Sequence, residues 1–145
     1  MKSIFKNICI SSDHAGFQAK EFIKELIINS NISITDLGPF INKSVDYPDY
    51  AKKVSQRVSK KKSEIGILVC GSGTGMAISA NKTKGIRAAV GFNLKSTQLS
   101  RQHNNANILC LGSRLTKKKD IKKIVSIFLN TKFEGGRQKR RLNKI

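Results

Sequence analysis

Cys70 closes the apolar run Ile65–Cys70 (IGILVC) and is followed at once by Gly71-Ser72-Gly73-Thr74-Gly75. A cysteine at the end of a buried strand, just before the first turn of a helix, is a candidate nucleophile or proton-abstracting base. A free thiol, with a pKa of about 8.5, is only a few per cent ionised at neutral pH, and a helix N-terminus lowers that value. Glycines in the turn let a ligand oxygen approach bare backbone N–H groups, where the helix end adds about half a positive charge. The turn is neither a dinucleotide fingerprint nor a Gly-Lys-Ser/Thr phosphate loop. Its third glycine comes one residue early, no acidic residue follows about 20 positions on, and the Lys-Ser/Thr ending is missing. Two plainer readings stand beside this one. The turn could be a tight connection without a ligand, and Cys70 a small buried hydrophobe, as Cys9 and Cys110 read within their strands.

Three further groups carry chemistry. Asp13-His14 pairs a carboxylate with an imidazole after the first apolar run; the alternative is that Ser12 or Asp13 caps the following helix. His103-Asn104, in LSRQHNNAN, ends a helical stretch, where both residue types also serve as C-caps. Arg137 and Arg141 lie four apart, on one face of a helical tail, and with Arg114 could clamp a phosphate by bidentate hydrogen bonds. The alternative for the tail is a solvated basic end. Arginine otherwise falls mainly near these candidate sites, whereas Lys60-Lys61-Lys62 and Lys117-Lys118-Lys119 are pure lysine.

The elements that must position these groups alternate along the chain. Strands are expected at Asn7–Ile10, Ile32–Leu37, Ile65–Cys70, Ile86–Val90 and Ile108–Leu111. Between and after them, helical spacing marks 15–28, 48–59, 76–81, 94–103 and 117–129, with a short basic helix over 137–145. Gly38-Pro39 is a turn, and Pro48 suits a first helical turn. Five βα units predict an α/β fold: a three-layer αβα, Rossmann-like sandwich with a five-stranded parallel sheet and right-handed crossovers. In such sheets ligands bind outside the carboxyl ends of the strands. Ser12–His14, Cys70–Gly75 and Ser113-Arg114 share that edge. His103 does not: the end of a helix leading into the fifth strand lies at the opposite edge, so His103 could meet Cys70 only from a neighbouring subunit.

Length and charge bound the rest. The 145 residues carry 28 Lys plus Arg against 9 Asp plus Glu, a net +19, and suit a single domain, 1–145. Such a charge raises a nucleic-acid hypothesis, but there is no binding motif, aromatics are few, and the lysines are scattered over several helices. No specific nucleic-acid partner is expected. No apolar run approaches the 18 residues of a membrane span, and MKSIFKNICISSDHAG lacks the pattern of a signal peptide. Three widely spaced cysteines without a secretory signal fit reduced thiols in the cytoplasm. No metal site is expected, since CxxC and HxxxH are absent and there are two histidines.

Together, SSDHAG, DYPDYA, CGSGTGMAISANK, GIRA, QLSRQHNNANILCLGSR and EGGRQKRR resemble, in order and over nearly the whole chain, the ribose-5-phosphate isomerase B family, within the wider ribose- and galactose-6-phosphate isomerases. The resemblance implies a cofactor-free aldose–ketose isomerase that interconverts ribose 5-phosphate and ribulose 5-phosphate in the non-oxidative pentose phosphate pathway. In that family Cys70 would move a proton between C1 and C2 through an enediolate. His103 with Asp13 would open the sugar ring. Gly71, Ser72, Gly73, Thr74 and Gly75 would hold the oxyanion, with Ser72 beside the thiolate. Asn104 would bind sugar hydroxyls, and His14, Arg114, Arg137 and Arg141 the phosphate, so that the basic tail 134–145 contributes to the site. The family's sites are shared within homodimers, which accounts for the position of His103; whether dimers pair into tetramers stays open. Some members use a glutamate six residues after the cysteine position. Met76 stands there in this chain and cannot take a proton. A hexose 6-phosphate is the alternative substrate.

Overall fold

A computed structural model describes residues 1–145. Five strands, β1 (Asn7–Ser12), β2 (Ser33–Asp36), β3 (Ile65–Cys70), β4 (Ala88–Val90) and β5 (Ile108–Gly112), form one sheet in the order β2-β1-β3-β5-β4. Every pairing is parallel: Ser12 lies against Val69, and Cys70 against Gly112. The helices are α1 (Phe17–Ile27), α2 (Tyr47–Ser59), α3 (Thr74–Ala80), α4 (Leu94–Gln102), α5 (Lys118–Asn130) and α6 (Gly136–Leu142).

The period of two along a strand divides the core between the two faces of the sheet. Ile65, Ile67 and Val69 of β3 join Ala19, Ile23 and Ile27 of α1 and Ile121, Ile124, Val125 and Phe128 of α5. Leu68 and Cys70 join Ala51, Val54 and Val58 of α2 and Met76, Ala77 and Ala80 of α3. The result is the three-layer αβα, Rossmann-like sandwich expected from the alternating pattern. Cys70 is thereby on the face that α3 covers.

Boundaries move where side chains compete with the ladder. β1 runs two residues past Ile10, because Ser11 and Ser12 still pair with β3 while Ser11 Oγ and the Ser12 N–H both bond Gly38 O. α1 starts at Phe17 rather than 15: its N-cap is Gly16, with no side-chain cap, and Asp13 Oδ1 instead accepts the Gly16 N–H at 2.9 Å. Asp13 therefore satisfies the turn before the helix rather than capping it. α3 begins earlier than expected, at Thr74, directly on the glycine turn. Among the buried residues of α1, with Ala19, Ile23 and Ile27, is Lys20, 0% exposed.

Candidate active site

The chemistry converges at the carboxyl edge of the sheet, beginning with the turn between β3 and α3. Gly73 takes φ +81°, a left-handed conformation open to glycine. That bend folds the turn back so that the Gly73 N–H points at Cys70 Sγ, 3.1 Å away. Cys70 is 4% exposed, whereas Ser72 and Thr74 lie at the surface. No side chain of the protein hydrogen-bonds this sulfur. Two further thiols are buried in the sheet. Burial pushes Cys9 up to about 11, with Ser63 and Arg57 pulling the other way. Burial, reinforced by the neighbouring Cys70, pushes Cys110 upward as well. Both remain neutral within their strands, as expected of buried hydrophobes.

Asp13, 7% exposed, continues β1 and donates its own N–H to Val69 O at 3.1 Å, which sets it beside the end of β3. The Oγ of neighbouring Ser12 is buried without a partner. His14 is exposed, and its Nδ1 lies 3.3 Å from both the N–H and the carbonyl of Val45, in the loop leading to α2. From the end of β5, the Ser113 N–H bonds Cys70 O and the Arg114 N–H bonds Gly71 O. The Arg114 guanidinium lies over Gly71, with Nη1 3.2 Å from where a Cβ would stand. Asp13, His14, Cys70, Gly71–Gly75 and Arg114 are thus gathered at one edge.

Tyr47 belongs with them and has no place in the sequence-based set. Its ring stands 2.9 Å from where a Gly75 Cβ would be, so it walls the glycine turn. The available signal was positional: Asp46-Tyr47-Pro48 opens a helix at the carboxyl edge.

His103, Asn104, Arg137 and Arg141 are not brought to this edge. His103 is the C-cap of α4, before β5 begins, and the five residues of β5 separate that end from Gly112 by about 13 Å. Its Nε2 lies 3.7 Å from Glu134 Oε2. Glu134 opens the Glu134-Gly135-Gly136 bend into α6, where Arg137 and Arg141 are exposed and Gln138 is buried. Asn104 and Leu142 line one cavity of about 380 Å³ together with Ile145. The candidate residues therefore form two groups on one chain, an edge group and a second group around α4 and α6.

The cavities of about 380–510 Å³ elsewhere on the surface leave out Cys70, Asp13 and His14. No three His, Cys, Asp or Glu side chains converge as metal ligands. No helix is long and apolar enough to cross a membrane. Lys60–Lys62 and Lys117–Lys119 are all exposed, so these six charges coat the helix ends.

Residues 8–145 match the model of the family described as Ribose/Galactose Isomerase. The chain is 45% identical over 141 residues to a probable ribose-5-phosphate isomerase B of Mycoplasma genitalium, covering 96% of this chain and 93% of that protein. It is 40% identical over 140 residues to ribose-5-phosphate isomerase B of Escherichia coli, covering 97% and 94%. Among solved structures, a ribose 5-phosphate isomerase from Thermotoga maritima superposes with a TM-score of 0.93 at 47% identity, covering 97% of each chain. The Mycoplasma genitalium ribose-5-phosphate isomerase B with bound ribulose-5-phosphate gives 0.92 at 44% identity, covering 95% and 92%.

Proposed function

We propose, from the premise that this chain belongs to the ribose/galactose isomerase family, that it is an aldose–ketose isomerase interconverting ribose 5-phosphate and ribulose 5-phosphate. The observation that carries this reading is the Gly73 N–H held 3.1 Å from Cys70 Sγ at the sheet edge that also presents Asp13, His14 and Arg114. Isomerisation of a 2-hydroxy aldehyde needs a base for the C2 proton and donors for the negative charge that develops on the carbonyl oxygen. Cys70 is the base: its thiolate takes the proton from C2, and the C2–H electrons form the C1–C2 double bond of an enediolate. Returning that proton to C1, with the O2 proton moved to O1, completes the exchange without gain or loss of electrons. The backbone N–H groups of Gly71–Gly75, with the Ser72 and Thr74 hydroxyls, hold the enediolate oxygens. Asp13 and His103 move protons on the ring oxygen as the furanose opens, and Asn104 binds hydroxyls.

His103, Asn104, Arg137 and Arg141 serve the site of a partner subunit in a homodimer. Two observations support sharing: the two groups lie on opposite ends of β5, and all four residues of the second group keep exposed surface. His14 and Arg114 then bind the phosphate from one subunit, and Arg137 and Arg141 from the other. Residues 1–145 act as one domain, in the cytoplasm, with the 134–145 segment contributing to phosphate binding. The pathway that follows is the non-oxidative interconversion of pentose phosphates.

Purified protein should turn over ribose 5-phosphate without added metal or cofactor, at a kcat/KM above that for allose 6-phosphate or galactose 6-phosphate. A higher value on either hexose phosphate would reverse the substrate assignment. Arg137→Ala and Arg141→Ala should each raise KM roughly tenfold to hundredfold, the size of a lost charge-assisted hydrogen bond, with kcat nearly unchanged. The phosphate is remote from the reacting carbons and is bound alike in ground and transition states. A loss confined to kcat would contradict that role.

A further inference from the structure

The His103–Asn104 turn and the segment that carries Arg137 and Arg141 are both fastened to one side chain, Arg101. It is 4% exposed, and its guanidinium lies 5.0 Å from the Phe5 ring and 5.7 Å from the Phe128 ring. No carboxylate pairs with it. Its Nη1 donates to Ala106 O at 2.6 Å and to Asn105 Oδ1 at 3.0 Å, while its Nε donates to Thr131 O at 3.2 Å. Ala106 ends the turn that holds His103 and Asn104. Thr131 begins the strap that runs through Glu134 into α6. The planar fork of a guanidinium reaches both; the single ammonium of a lysine could not hold the same set of directions.

The turn needs such a clamp. Asn105 has φ +45°, a conformation that costs a side-chain-bearing residue energy unless its surroundings hold it. Arg87 completes the hold, its Nε donating to Asn104 O and Asn105 O, each at 3.0 Å. Three successive carbonyls after His103 are therefore fixed by two arginines. On the strap side, the Glu134 N–H bonds Gln102 O at 3.0 Å, and the Glu134 carboxylate faces His103. An unpaired buried cation is costly, and burial together with Arg87 lowers Arg101 only to about 10, so it stays charged at neutral pH.

We propose that Arg101 is a positioning residue that locks the His103–Asn104 turn to the 131–136 strap, so that His103, Asn104, Arg137 and Arg141 are delivered to the partner's site as one preformed unit. This rests on the shared-site reading above. Arg101 acts through the turn and the strap, at the edge of the sheet away from its own Cys70. Its loss should therefore damage the partner's site and spare the Cys70 edge of its own chain.

Mixed dimers test both ideas separately. A doubly tagged heterodimer of one Cys70→Ala and one His103→Ala subunit should recover about half the wild-type activity, since one of its two sites is intact. A heterodimer of Cys70→Ala with Arg101→Lys should recover the same half, whereas the Arg101→Lys homodimer should lose about a hundredfold in kcat, the scale of a misplacement near 1 Å. Arg101→Met repeats the comparison without the charge, and circular dichroism and gel filtration check that each variant is a folded dimer. Recovery with His103→Ala but not with either Arg101 variant would overturn the proposal, because Arg101 would then be supporting its own subunit's core. No recovery with His103→Ala would overturn the shared-site reading and this proposal with it. Near-wild-type kcat in the Arg101→Lys homodimer would also reject it.

Discussion

Cys70→Ala is expected to lower kcat on ribose 5-phosphate by at least about 10²–10⁴-fold, the contribution of a positioned general base, with substrate binding retained. The loss should be close to complete because nothing nearby can replace the thiolate. Met76, the position at which some family members carry a glutamate, is buried and has no titratable group. Cys110 lies on the neighbouring strand, but burial holds its thiol in the neutral form. Cys9 is fully buried, with its thiol raised to about 11. Asp13 is fixed at the turn before α1 by the Gly16 N–H donating to its Oδ1, where in the proposed mechanism it serves ring opening rather than the C2 proton.

The substitution leaves the Gly73 N–H without its acceptor and opens a small void. Both costs are local, and the N–H accounts for about 1–3 kcal/mol. Cys70→Ser keeps most of the volume and an acceptor for the N–H, yet a serine hydroxyl is not ionised near neutral pH. The two variants should therefore differ in thermal midpoint and agree in activity. Calorimetric titration with ribose 5-phosphate should give a Kd within a few fold of wild type for both. Activity near wild type in either would remove Cys70 from the mechanism, and weakened binding with unchanged kcat would make it a packing residue.

The sheet was legible because its signals are local. IGILVC has no polar residue and ends in glycines, and β3 spans Ile65–Cys70 as read. Once the parallel direction of the strands followed from five βα units, the separation of Cys70 from His103 followed as well. Contacts between elements distant in sequence were less accessible. Nothing near Gly75 announces the Tyr47 ring, and nothing near Gly71 announces the Arg114 side chain folded over it. The roles of the arginines were less legible than their positions. Beyond Arg114, Arg137 and Arg141, three others have structural partners: Arg87 and Arg101 hold the turn after α4, and Arg57 bonds Ser63 Oγ and Thr35 Oγ1. A carbonyl acceptor leaves no pattern in the sequence, whereas a paired carboxylate would have.

Lys20→Met is expected to destabilise the fold by about 3 kcal/mol, toward the lower end of what breaking a buried ion pair costs. In a chain with so many lysines, one on a helix reads as surface, yet Lys20 is wholly buried. Its Nζ donates to Asp36 Oδ1 and Oδ2 at 2.9 and 2.7 Å and to Pro39 O at 2.9 Å, and lies 2.9 Å from Glu21 Oε1. The Phe17 and Phe40 rings lie within 6 Å of it. Methionine would fill similar space but leave Asp36, whose side chain is 13% exposed, with Lys24 as its remaining cation. Lys24 is what keeps the cost at the lower end.

The pH dependence separates this ion pair from simple packing. Burial pushes the Asp36 carboxyl up, but the hydrogen-bonding Lys20 and Lys24 ammoniums outweigh it and hold the carboxyl below its usual range. A depressed carboxyl stabilises the fold fully above the unfolded value of about 3.9, and loses that contribution as pH falls through the lower folded value. The gap between wild type and Lys20→Met, measured by urea unfolding, should thus be largest near pH 7 and shrink below about pH 4. A gap that stays constant to pH 3 would mean that Lys20 contributes through its methylenes alone. The site should register the change too. Pro39 lies beside Gly38, whose carbonyl is bonded by Ser11 and Ser12 at the end of β1, and the same loop runs on to Val45 against His14. Loosening that loop should raise KM for the sugar phosphate more than it lowers kcat, because Cys70 and its glycine turn are held by β3, α3 and β5 instead.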